Sequence, residues 1–449
     1  VNLLQALPGF FAAAFLWTAV GNRAVCRWTR YLSRSEVAAW SFAAGLLIQA
    51  AVYSAFLLIR GDPGPKKMAA AALLLLALLA AMARRVEVRR PPVERPRAVS
   101  LAMILFAAAG AGIFLVMAIS EPMWGRDYLA IWGFKAKTIF LSGTVPERLF
   151  HDSATPGSHP EYPLLLPLIL ASASASAGAW NDHVLAIVYP LFEAGLLLSI
   201  FGFVRRRSDS PGAAAACLVV AWFFPLFHPY HVGMAEIPLA FSLVLFSEAV
   251  LDFIEGESAG VHLRAALASV LCGGFKPEGA LFVILTCGWL AAFSAFRRRP
   301  RAGTMILCAL GPLAVQAAAL RILRGSVSGR DSDWTLFHVA RWGELGHLLA
   351  RSTAYIARAE ILPRALPLAA LLALFLFTRR QKADFLLFPL ATQITLYAVV
   401  CAVSTIDPIW QVRTAFARVT AALFPVCALL IGTRLSASSS AAGTAREIG

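Results

Sequence analysis

The sequence predicts an all-α polytopic membrane protein, and three observations carry that expectation. The chain is 59% hydrophobic and 14% charged, with a mean hydropathy of +0.71; soluble domains carry about 25% charged residues. Apolar stretches close to the ~20 residues that cross a bilayer recur along all 449 positions. Basic residues fall in short clusters between those stretches: Arg23, Arg27, Arg30 and Arg34; Arg84, Arg85, Arg89 and Arg90; Arg205 to Arg207; Arg297 to Arg299; Arg379, Arg380 and Lys382. Cytoplasmic loops collect Lys and Arg in this way. The net charge of +15 therefore reads as topology anchoring beside anionic lipid rather than as a nucleic-acid surface.

The predicted spans, in order, are 2–21, 37–59, 68–83, 98–119, 184–203, 212–227, 235–254, 264–276, 279–296, 303–321, 363–378, 384–402 and 415–434. Placing the arginine clusters inside puts the N-terminus outside and gives about thirteen helices. The first stretch lacks a basic leader and a clear cleavage site, so it is expected to be a retained helix. The apolar segment "YPLLLPLILASASASAGAW" (162–180) is treated differently. As a span it would put Arg205 to Arg207 outside, and it carries two prolines and three alternating serines. It is expected to be an interfacial or re-entrant helix on the outer side, buried against protein. Two external loops follow, 120–183 and 322–362. In the second, Phe337, Leu345, Leu348, Leu349 and Ile356 recur at near-helical spacing, as in an amphipathic surface helix. The Ser/Ala-rich tail 435–449 is expected to be disordered. The seven cysteines form no CxxC pair and indicate neither disulfides nor zinc.

This topology gathers the unusual polar residues on one side. Glu121 and Asp127 open the first external loop in "EPMWGRDYLAIWGFKAK". His159, Glu161 and Tyr162 close its polar part. Glu236 starts a helix in "GMAEIPLA". Lys276 and Glu278 form the tip "GGFKPEG". Asp407, Arg413 and Arg418 lie in "STIDPIWQVRTAFARV". A charge at mid-membrane costs at least ~2.5–3.5 kcal/mol, so such residues are paired, wetted or functional. Taken singly each has an ordinary role. Asp127 can pair with Lys135 or Arg126, Glu236 can answer a helix dipole, Lys276 and Glu278 can pair with each other, and Arg418 can snorkel. Trp124 and Trp132 suit an aromatic belt. Their convergence on one face is the informative feature.

The order of these motifs resembles the integral-membrane glycosyltransferases of the C-type fold (GT-C), close to the bacterial group named for lipopolysaccharide galacturonosyl- and mannosyltransferase-like domains. The matching residues are Asp127 with Trp132 and "KAK" (135–137); "HPEYPLLLP"; "AEIPLA", with Glu236 where aspartate is more usual; "KPEG"; and Trp410, Thr414, Arg418 and Pro425 in order. The resemblance covers 98–434 and leaves the N-terminal region 1–97, with its three helices, unmatched. It implies a GT-C type bundle in the inner (plasma) membrane with its site facing the periplasm or exterior. It also implies transfer of a sugar from a polyprenyl-phosphate donor to an acceptor hydroxyl on a lipid or glycan, with inversion. Displacement at the anomeric carbon needs a carboxylate near that hydroxyl and cations at the departing phosphate. On that basis Asp127 is the expected base, and Lys276, Arg413 and Arg418 the expected phosphate ligands. Glu236, Glu278, His159, Tyr162, Lys135 and Lys137 are the expected sugar- or acceptor-binding residues. Some relatives use a divalent metal; without a DxD pair the sequence argues against one here, and no other cofactor is expected. An O-antigen-ligase-like enzyme and a lipid or sugar transporter or flippase are the competing readings. A transporter would more often show paired halves with matching broken helices.

Overall fold

The structure is a computed structural model that describes residues 3–61, 63–82, 98–147, 149, 159–207, 212–223, 226–256, 260–297, 301–324, 345–356, 382–403 and 408–447. Its main elements are helices α1 (Leu3–Val25), α2 (Arg34–Leu58), α3 (Pro65–Met82), α4 (Ala98–Ser120), α5 (Gly133–Ser142), α6 (Leu165–Ala177) and α7 (Asp182–Arg207). They continue as α8 (Gly212–Ala221), α9 (Glu236–Glu255), α10 (Val261–Phe275), α11 (Pro277–Arg297), α12 (Ala302–Arg324), α13 (Leu345–Ile356), α14 (Leu387–Val403) and α15 (Ala417–Glu447). Nine helices among the described residues are long and apolar enough to cross a membrane: α2, α3, α4, α7, α9, α11, α12, α14 and α15. The chain is an all-helical, multi-pass membrane protein. The expected span 363–378 lies outside the described residues.

Helix α9 is the axis of the bundle. Its membrane-length window is 100% buried, against 11% for α3 and for α12. It packs on α7, α10 and α15, while α3, α4 and α12 turn most of their surface outward. Lipid is as apolar as leucine, so polar contacts and close packing rather than hydrophobicity hold such helices together.

The segment 162–180 contains the 13-residue α6, about 20 Å long at 1.5 Å per residue and too short to span. It packs against α1, α2, α3 and α5, and Ser172, Ser174 and Ser176 are all buried. The expected span 212–227 is shorter than foreseen, because α8 ends at Ala221 ahead of "FFPLFHPYH", where prolines disfavour continuation. The tail after 434, expected to be disordered, is helical as far as Glu447; its many alanines favour that state.

The Arg205–Arg207 cluster is more than a lipid anchor. Arg206 and Arg207 turn into the bundle, with side chains only 7% and 15% exposed. Arg206 bonds Glu36 at 3.1 Å and Asp252 at 2.9 Å. Arg207 bonds Asp252, and Glu255 at 2.7 Å; Arg264 bonds Asp252 at 2.7 Å. Glu36 also completes a capping box with Ser33 at the start of α2. Buried acids on α2 and α9 need cations within reach, and the last turn of α7 supplies them. This arginine network ties α2, α7, α9 and α10 at one end of the bundle.

Candidate functional site

The opposite end of α9 begins at Glu236, and Asp127, Lys276, Glu278 and Arg418 meet there. The chain enters through a loop ending at Asp127, the residue before a π-helical turn, Tyr128–Trp132, that runs directly into α5. A second π-helical turn, Val412–Phe416, precedes α15 and delivers Arg418. Turns of this kind widen a helix by one residue and recur at functional sites. Arg418 Nη1 donates to Asp127 Oδ2 at 2.6 Å across 291 positions of sequence. Its Nε lies 3.8 Å from Glu236 Oε1.

Lys276 closes the cluster. Its Nζ sits 3.2 Å from Glu236 Oε1 and 3.2 Å from Glu278 Oε1. Local sequence explains how it gets there. Lys276 is extended between α10 and α11, Pro277 opens α11 where no N–H is needed, and Gly279 lets the turn fold on itself. A Cβ at Gly279 would stand 2.2 Å from the Cys272 carbonyl oxygen. Gln393 on α14 donates to the Glu278 carbonyl at 3.0 Å and braces the tip from the far side.

Three carboxylates, Asp127, Glu236 and Glu278, share two cations, Lys276 and Arg418, so the cluster sums to −1 when all five are ionised. Its hydrogen bonding is also incomplete. Among the described residues, Glu236 Oε2, Glu278 Oε2 and Arg418 Nε are buried without a partner. Buried polar atoms are normally satisfied by protein, by water or by a ligand.

The 159–162 segment roofs this cluster. Trp132, Tyr162 and His159 stack in series, with centroids 5.3 and 4.7 Å apart. His159 Nδ1 meets Glu161 Oε1 at 2.7 Å, and His159 adopts a left-handed backbone with φ of 47°. That conformation is uncommon outside glycine and is held here by its surroundings. Burial pushes the Tyr162 phenol well above its usual pKa, helped by the Glu278 carboxylate; Lys276 opposes it and Asp127 adds to it. The hydroxyl thus lies in the field of the cluster and is a neutral donor at physiological pH. Burial raises the Glu161 carboxyl, but the His159 hydrogen bond, its own backbone N–H and the charges of His159 and Lys135 outweigh it and leave the acid below its ordinary range.

Of the expected site residues, Asp127, Glu236, Lys276, Glu278, Arg418 and Tyr162 come together. His159 stands at the edge of the group through its stack on Tyr162. Lys135 does not join it. It is fully buried, and its ammonium donates to the carbonyl oxygens of His159 at 2.6 Å and Tyr162 at 3.5 Å, so it clamps the roof rather than facing a ligand. Lys137 points elsewhere, with Nζ 6.0 Å from the Trp180 ring centre. It lines an open groove of about 540 Å³ with Tyr128, Thr138, Ser142 and Asp182. The Arg413 side chain and Asp407 lie outside the described residues. No group of three or more His, Cys, Asp or Glu among the described residues is placed to hold a metal ion.

Several participants were not foreseen. Tyr128 donates its hydroxyl to Asp182, which also accepts from Trp180 Nε1 at 3.1 Å. Burial and the Asp182 carboxylate raise the Tyr128 phenol well above its usual pKa. The loop before α9 also supplies His231, whose buried ring donates through Nδ1 to the Leu226 carbonyl oxygen at 3.1 Å. Burial lowers the His231 pKa despite the Glu236 carboxylate. The sequence signal for Tyr128 was its place beside Asp127; Asp182 carried none beyond a helix-start pattern with Asn181 as cap.

Fold and site together define a multi-pass helical membrane protein with an incompletely paired polar cluster at one end of its bundle. Comparison with family models, with curated proteins and with solved structures finds no match in any of the three.

Proposed function

We propose that this chain is a glycosyltransferase of the GT-C type, with about thirteen spans. In this reading it moves a sugar from a polyprenyl phosphate to an acceptor hydroxyl at the extracytoplasmic face of the inner membrane, with inversion. The observation that carries the reading is the Asp127–Arg418 pair, set 2.6 Å apart beside Glu236 and Lys276. It joins one carboxylate from the first large loop to the cations a departing phosphate needs.

The charge sum supports a particular sequence of events. A site already at −1 does not simply accept another anion. The donor phosphate takes the place of Asp127 on Arg418, and Asp127 is released to face the acceptor hydroxyl. The acceptor oxygen then bonds the anomeric carbon as the carbon–oxygen bond to phosphate breaks. Asp127 takes the hydroxyl proton, and the polyprenyl phosphate leaves against Arg418 and Lys276. Tyr162 offers a neutral hydroxyl to the sugar.

The test is the full chain in liposomes with a radiolabelled sugar on polyprenyl phosphate and a bacterial envelope lipid extract as acceptor. The expected result is label leaving the carrier, and Arg418→Ala weakening donor binding. Movement of intact labelled lipid across the bilayer without release of sugar would replace this reading with a transporter. Unchanged donor affinity in Arg418→Ala would remove Arg418 from the phosphate site.

A further inference from the structure

Beside Asp127 a second cleft, of about 410 Å³, opens outward and is lined by Trp124, Arg126, Leu129, Ala130 and Tyr230. It is a shallow, open depression rather than an enclosed pocket. Trp124 and Tyr230 meet edge to face, centroids 5.4 Å apart, and Trp124 is 45% exposed. The indole is fixed, because its Nε1 donates to Glu121 at 3.0 Å. A tryptophan of the membrane belt offers that N–H to water or headgroups; this one gives it to a carboxylate of its own loop. Gly125 is what allows the assembly. A Cβ there would stand 2.6 Å from the Tyr230 carbonyl oxygen, so the Trp124–Arg126 backbone is pressed against the Tyr230 loop. Tyr230 in turn lies within electrostatic reach of Arg418.

We infer that Trp124, Tyr230 and Arg126 form a binding platform for an anionic saccharide, the acceptor, which rests on the glycosyltransferase reading above. The argument is chemical. The C–H face of a pyranose carries partial positive charge and packs on the negative face of an aromatic ring. The Arg126 guanidinium is exposed beside it and suits a phosphate or carboxylate on the same glycan. Position completes it: Arg126 and Asp127 are adjacent in sequence, one turned to the cleft and the other to Arg418. A glycan seated on the platform therefore presents its hydroxyls towards the expected base, and the donor remains on the inner side of that base.

The test is calorimetric binding to the full chain in nanodiscs without donor. The probes are maltotriose, maltotriose with a terminal phosphate, and inorganic phosphate. The phosphorylated trisaccharide should bind roughly tenfold more tightly than either other probe. Trp124→Ala should weaken both sugars by about fivefold or more, and Arg126→Gln, at an exposed position, should erase only the preference for the phosphorylated one. Stronger competition by a phosphorylated glycolipid than by the trisaccharide supports the platform with a lipid-linked glycan as its source; equal competition supports it with a free glycan. Equal binding of inorganic phosphate, an unchanged affinity in Trp124→Ala, or no sugar binding up to about 10 mM overturns the inference. A chain that binds the sugars yet never consumes a polyprenyl-phosphate sugar loses the transferase reading and keeps the platform. A chain that consumes the donor but fails these binding tests loses the platform alone.

Discussion

Asp127→Asn separates the two parts given to that carboxylate. In the resting structure Asp127 holds Arg418 at 2.6 Å, with side chains 20% and 23% exposed, so solvent screening is modest. A hydrogen bond to a charged partner contributes about 1.5–3 kcal/mol and a neutral one about 0.5–1.5 kcal/mol. Asparagine keeps the shape and a neutral acceptor, so Arg418 is released from roughly 1–1.5 kcal/mol of competition. That corresponds to about tenfold tighter binding of polyprenyl phosphate. The same change removes the base, which should slow transfer by about 10²–10⁴. The assay pairs a polyprenyl-phosphate titration in nanodiscs with single-turnover consumption of labelled donor. Affinity that stays level or weakens refutes the exchange of Asp127 for phosphate. Turnover within about tenfold of the parent, ~1.4 kcal/mol of barrier, refutes the base assignment.

Three further outcomes follow from the same geometry. Lys276→Met leaves Glu236 and Glu278 facing each other, with Arg418 no nearer than 3.8 Å to Glu236. It should cost about 3–5 kcal/mol, read as a fall in thermal midpoint in detergent that adding Glu236→Gln partly restores; an unmoved midpoint contradicts the pairing. Asp252→Asn takes from Arg264 its one paired carboxylate among the described residues, leaves Arg206 to Glu36 and Arg207 to Glu255, and should cost a similar ~3–5 kcal/mol. It should leave polyprenyl-phosphate affinity unaltered, and a change in that affinity would contradict a purely structural part. Glu161 has a folded pKa below its unfolded value, so its contribution is complete above about pH 4.3 and is lost as pH falls through the lower folded value. Glu161→Gln should flatten the acid side of the stability profile below that point, and superimposable profiles would show that the His159–Glu161 contact contributes nothing.

The membrane class and most helices were legible because hydrophobic length is a strong signal, and the short buried α6 was legible from its prolines and serines. The acidic and basic members of the site were legible for a related reason. Charge at membrane depth is costly, so Asp127, Glu236, Lys276, Glu278 and Arg418 stood out even without partners assigned. What stayed hidden were residues whose part depends on distant backbone. Lys135 looked like a ligand for an anion, but its partners are carbonyl oxygens 24 and 27 positions away. Arg206 and Arg207 looked like lipid anchors, since nothing local reveals that Asp252 and Glu36 meet them. The "HPYHVGM" loop, which carries Tyr230 and His231, has no acid, lysine or arginine and so gave no electrostatic signal at all.

The two ends of α9 use the same chemistry to opposite effect. At the arginine end, Glu36, Asp252 and Glu255 pair with Arg206, Arg207 and Arg264, a fourth buried acid, Glu248, is held beside them by Ser199, and of the atoms in those side chains only Arg264 Nε is buried without a partner among the described residues. A nearly complete network has little to offer a ligand, and any intruding anion would have to break several short contacts at once. At the Asp127 end, among the described residues, three acids share two cations and three buried polar atoms lack partners. The excess carboxylate there is the partly exposed one, Asp127, whereas Glu236 is 1% exposed and held from both sides. The member of the cluster most easily displaced from its cation is therefore the one closest to solvent and to the aromatic cleft. This asymmetry, rather than the presence of charge in itself, distinguishes the end of the bundle proposed to exchange partners from the end whose side chains pair with one another.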